Sequence, residues 1–133
     1  MMKKKKVMTG DNGSLNDSLF TIFDLQTSFQ KKITNIDLPH DDVKWYSYHV
    51  QALVEEMGEM LKADKRWKTH RNEAFDPENK LEEIADCFIT LINISLYSGF
   101  SVFDIQDAII DKIVANTEKL EKLRERARND SNS

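Results

Sequence analysis

Cysteine is almost missing from this 133-residue chain: Cys87 stands alone and has no partner for an internal disulfide. Set in an apolar run, it reads as a buried structural thiol. Histidine is scarce too, with three in all. None falls into the Glu-x-x-His spacing that a di-iron helical bundle requires. No apolar stretch approaches the length that spans a bilayer, so a membrane-crossing helix is excluded. The basic start, Met1 to Lys6, has no apolar segment behind it and does not read as a secretory signal. A cytoplasmic location is expected. An excess of positive charge is also lacking: 19 basic residues face 23 acidic ones, for a net charge of −4. That balance argues against a general nucleic-acid binder. Proline and glycine act as punctuation, with Pro39 and Pro77 near helix starts and Gly99 at a helix end.

What remains is a chain that is 40% hydrophobic and 32% charged, large enough for one core and too small for two. Residues 1–13 read as a disordered leader, 14–126 as a single all-α domain and 127–133 as a flexible tail. Ser14 is placed to cap a first helix running to about Lys32, with Leu15, Leu19, Ile22, Phe23, Gln26 and Phe29 along one side. The Asp41-Asp42 pair marks a second start, for a helix from Val43 to about Lys65. Its expected core stripe is Tyr46, Val50, Leu53, Met57, Met60 and Leu61. Asp76-Pro77 is a cap and first-turn signal for a third helix to about Ser98, ended by Gly99. Ser101 to Asp104 resembles a capping box and opens a fourth helix to about Arg126. The periodicity therefore predicts a four-helix bundle.

Two acidic motifs stand out, Glu55-Glu56-Met57-Gly58-Glu59 and Glu82-Glu83-Ile84-Ala85-Asp86. In each, two carboxylates three residues apart share one helix face: Glu56 with Glu59, and Glu83 with Asp86. The first pair shares its stripe with Trp45, His49, Ala52 and Ala63. The second shares a polar seam with Asn79, Thr90, Asn93 and Tyr97, on an otherwise apolar helix. Carboxylates are costly in such a setting unless positive charge compensates them. A hard divalent ion, Mg²⁺ with Mn²⁺ able to substitute, is the natural compensator.

The order E-x-x-E, then 23 residues from Met60 to Glu82, then E-x-x-D resembles the metal signature of the all-α nucleoside triphosphate pyrophosphatases. That superfamily includes the MazG-like enzymes and the dimeric dUTPases. Glu55-Glu56-Met57-Gly58-Glu59 is similar to the MazG-type E-E-x-G-E, and Glu82-Glu83-Ile84-Ala85-Asp86 to its E-E-x-A-D. The resemblance spans about Trp45 to Leu120 and implies that Glu56, Glu59, Glu83 and Asp86 hold Mg²⁺. It also implies a MazG-like four-helix bundle assembled as a homodimer or homotetramer.

The activity implied is hydrolysis of a (deoxy)nucleoside triphosphate to the monophosphate and pyrophosphate, by attack of a metal-activated water. Glu59 or Glu56 would serve as the general base. A dUTP, dUDP or modified-nucleotide diphosphatase is the alternative substrate reading, and a non-catalytic helical interaction module the alternative class. Lys65, Lys68 and Arg71, just past the second helix, are candidate phosphate contacts, as is Lys112, which with Asn116 matches the family's K-x-x-x-N pattern. Trp67 either stacks on the base or packs on the bundle. Asn93 either hydrogen-bonds the sugar or base or pairs a buried backbone group. Trp45 and His49 are weaker base-contact candidates than Trp67.

Overall fold

The computed structural model describes residues 15–68 and 73–132, with side chains from Ser18 onward. It contains four α-helices: α1 Leu15–Thr34, α2 Val43–Ala63, α3 Pro77–Leu96 and α4 Val102–Ser131. No strand occurs among the described residues, and one isolated bridge joins Asp41 to Ser98. The all-α class and the four helices agree with the periodicity. The leader and the capping role expected of Ser14 lie outside the described residues.

The helix starts follow local chemistry. An N-terminal backbone N–H needs an acceptor, and the side chain just ahead supplies it. Asp42 accepts from Trp45 N at 3.0 Å, and Asp76 accepts from Glu78 N at 2.9 Å with Pro77 in the first turn. At α4 the capping box is complete: Ser101 Oγ accepts from Asp104 N, and the Asp104 carboxylate accepts from Ser101 N. Gly99, at φ +84°, turns the chain after α3 in the left-handed region where a side chain would be strained.

All four helix C-termini differ from the periodicity, α1 by running on to Thr34 and α3 by stopping at Leu96. Helix α2 stops at Ala63 because Asp64 takes an extended conformation and collects Arg66 and Lys80, where a carboxylate would otherwise oppose the helix dipole. Helix α4 runs to Ser131, past Arg126. Its second half carries Glu118/Lys122 and Glu125/Arg128 at helical spacing and no proline or glycine to stop it.

Helices α1 to α3 form one compact unit, and α4 with Ser101 a second. Within the first unit α3 packs against both α2 and α1. Its core is unusually polar. Tyr97 is fully buried; its hydroxyl donates to Gln30 Oε1 at 2.8 Å and lies 3.2 Å from Thr34 Oγ1. Gln26 Nε2 donates to Asn93 Oδ1 at 2.7 Å. Backbone bonds from His40 N to Leu96 O and from Asp42 N to Tyr97 O tie the entry of α2 to the end of α3.

The face of α2 that is buried is not its apolar stripe. His49 and Ala63 are buried, with Ala52 and Glu56 half-buried between them, whereas on the apolar stripe Tyr46, Val50, Met57 and Leu61 are exposed and only Leu53 and Met60 are half-buried. The small alanines let α3 approach closely, so the seam that carries the carboxylates becomes the helix contact.

Candidate metal centre

Helices α2 and α3 bring three of the four expected carboxylates together. Oxygens of Glu56, Glu83 and Asp86 all lie within 4.8 Å of one another. Glu56 and Glu83 are half-buried and Asp86 is exposed. Glu59 stands outside this triplet, with its carboxylate 3.8 Å from Lys62 Nζ. Among the described residues no lysine or arginine pairs with the triplet.

The electrostatics follow from that geometry. Desolvation raises the Glu56 pKa, and Asp86, Glu83, Glu59 and Glu55 push it further. Glu83 is raised by desolvation and then by Asp86, Glu59 and Glu82. The Cys87 thiol, buried beside them, is raised by desolvation and by Glu56, Asp86 and Glu83. The metal-free site is thus an uncompensated concentration of negative charge.

These shifts have a sign that can be measured. A carboxyl whose pKa is higher folded than unfolded binds more protons in the folded state, so stability falls as pH rises through that window. Acidifying the chelated protein from neutrality toward the ordinary carboxylate range is therefore expected to raise its melting temperature. Asp64 acts oppositely and lower on the scale. Hydrogen bonds from Arg66 and Lys80 hold it well below the usual carboxylate range, so its stabilisation is lost only in stronger acid. Calorimetry across pH with a chelator present checks both signs; a melting temperature that falls steadily from neutrality downward contradicts the first.

The donor set fits Mg²⁺. All three groups offer hard oxygen. Opposite ligands of an octahedron with bonds of 2.0–2.1 Å stand about 4 Å apart, so small side-chain rotations bring oxygens within 4.8 Å onto one ion.

The other sequence candidates are dispersed. Lys65, Trp67 and Lys68 follow the end of α2; Trp67 is 60% exposed, with Lys68 Nζ 5.3 Å from its ring centre. Trp67 lines a cavity of about 490 Å³ together with Met60, Leu61, Asp64, Arg66, Lys80 and Ile84. Arg71 lies outside the described residues. Lys112 and Asn116 stand four residues apart on α4, both exposed. Asn93 is buried and accepts from Gln26.

Periodicity missed two groupings. Gln30 is 4% exposed, and Phe23, Gln26, Gln30 and Thr34 repeat at helical spacing along the face of α1 that meets α3. That spacing was the available signal. The second grouping is Phe75, capped by the Arg66 guanidinium at 3.6 Å and approached by Lys80 at 5.4 Å; its members are too far apart in sequence to signal each other.

A family model described as dUTPase matches residues 18–132. Neither a curated protein nor a solved structure matches the chain.

Proposed function

The chain belongs to the dUTPase family, which makes it a hydrolase acting on nucleotides, and from that premise we propose that it is a Mg²⁺-dependent nucleoside triphosphate pyrophosphohydrolase. Its products would be the nucleoside monophosphate and pyrophosphate. The observation that carries this reading is the convergence of Glu56, Glu83 and Asp86 from two helices, without a basic partner among the described residues. Such a site is costly alone and useful only to a cation.

Glu56, Glu83 and Asp86 would hold the ion, with Glu59 alongside. Once bound, it would offset the phosphate charge, favour ionisation of a water and stabilise the leaving pyrophosphate. Glu59, outside the triplet, is the better placed general base: it accepts the water's proton as oxygen bonds the α-phosphorus and the bond to the bridging oxygen breaks. Lys65, Lys68 and Arg71 would take the outer phosphate oxygens. No described helix is long and apolar enough to cross a membrane. A cytoplasmic homodimer or homotetramer is the assembly proposed.

The family's description puts dUTP first among candidate substrates; dUDP or a modified nucleotide is the alternative. The test is a panel of nucleotides scored for pyrophosphate release with and without Mg²⁺. Release from at least one triphosphate, abolished by chelation, is expected. No release from any nucleotide at millimolar Mg²⁺ would favour the non-catalytic interaction module instead.

A further inference from the structure

Helix α3 carries a single basic residue, Lys80, and it stands three positions before Glu83. Residues at that spacing share a helix face, and helical side chains lean toward the N-terminus, so Glu83 leans over the turn that carries Lys80. By position alone Lys80 is the α3 cation that would pair with Glu83 and compete with a metal ion. It does not. Its Nζ donates instead to Asp64 Oδ2 at 2.8 Å, which ties the end of α2 to the first turn of α3. We propose that Asp64 is a positioning residue for the metal centre: it holds Lys80 away from Glu83 and so keeps the triplet's negative charge available to Mg²⁺.

The surroundings of Asp64 suit that task. The residue leaves α2 in an extended conformation, and its Oδ1 accepts from Arg66 N at 3.1 Å, a local bond that fixes the carboxylate. The Arg66 guanidinium then donates to both oxygens, from Nε to Oδ1 at 2.9 Å and from Nη2 to Oδ2 at 2.8 Å. The Asp64 side chain is 12% exposed, and an ion pair so withdrawn from water is screened far less than one at the surface. Phe75 adds an aromatic face: Arg66 lies 3.6 Å and Lys80 5.4 Å from its ring centre, both within cation–π range.

The distribution of charge makes the same point. Arg66 alone balances Asp64, yet Lys80 is bound there as well. One turn further along α3, the triplet has no basic partner among the described residues. Released from Asp64, Lys80 would turn to Glu83, and a divalent ion would have to displace it or bind beside a positive charge.

The inference rests on the Mg²⁺ reading of the triplet, and the experiment separates the two. Mg²⁺ affinity is measured by titration calorimetry without nucleotide, for wild type, Asp64→Asn, Lys80→Met and the double variant. Asparagine keeps an oxygen for Arg66 N, and methionine keeps an apolar stem beside Phe75. Asp64→Asn is expected to bind roughly three- to tenfold more weakly, the effect of bringing one unit charge a few ångström closer to a divalent ion in a solvated site. Lys80→Met should bind at least as tightly as wild type. In that background Asp64→Asn should change little, because no cation is left to release. A clamp that only sets the register of α2 and α3 predicts weaker binding in Lys80→Met. Simple loss of a negative charge predicts the same Asp64→Asn penalty in both backgrounds. Either result, or an unchanged affinity in Asp64→Asn, would overturn the positioning role while leaving the metal site standing. Should Asp64→Asn not fold, the sign of the Lys80→Met effect decides: weaker binding overturns the role, and equal or tighter binding upholds it. A wild type that takes up no Mg²⁺ would remove the metal reading, and this inference with it.

Discussion

Glu83→Gln is expected to cut turnover by more than the roughly 10–100-fold that loss of an outer-shell partner costs a metal site. The amide keeps the shape of the carboxylate and removes one of the charges a divalent ion needs. The same change should make the metal-free protein more stable. In the wild type Glu83 is ionised against its desolvation and against Asp86, Glu59 and Glu82, and a neutral amide relieves that repulsion. Lost activity with a raised melting temperature is hard to obtain by misfolding, which lowers both. Glu56→Gln and Asp86→Asn should behave alike. Glu59→Gln should lower turnover while retaining most of the Mg²⁺-induced thermal shift, because Glu59 stands outside the triplet. Initial rates of pyrophosphate release and calorimetry with and without Mg²⁺ decide the matter. Full activity in Glu83→Gln would remove the basis for the site.

The second large effect concerns assembly. Phe29, Val54, Leu61 and Phe88 are 55%, 62%, 56% and 66% exposed in the single chain. Large apolar side chains left exposed on three helices of one unit are the basis for expecting a partner that covers them. A second copy of the chain is the expected cover, so light scattering should return at least twice the 15.5 kDa of one chain at micromolar concentration. Phe88→Asp should push it toward monomer. A two-fold interface counts each residue twice, and burying one phenylalanine is worth about 1.5–3 kcal/mol. The loss is then about 3–6 kcal/mol, a dissociation constant raised at least about 100-fold. A wild-type chain that stays monomeric contradicts this.

The helices and their caps were legible because the forces that place them act over a few residues. Asp42, Asp76 with Pro77, and Ser101 with Asp104 each satisfy backbone groups within one turn. The pairing of Glu83 with Asp86 on one face follows from 3.6 residues per turn and nothing else. Hydrophobic periodicity found the apolar stripe of α2 correctly but misassigned what it faces, because a lone chain need not bury its most apolar side. The small residues and polar groups of the other face fit α3, and Tyr97, Gln30, Asn93 and Gln26 lock that fit.

Only the tertiary structure could decide that Glu56 meets Asp86 while Glu59 turns to Lys62, or that His49 is buried with an unpartnered nitrogen. Glu56 and Asp86 are 30 residues apart. Their meeting depends on the axial register and rotation of two helices, which side-chain fit across the interface sets and periodicity along either helix does not record.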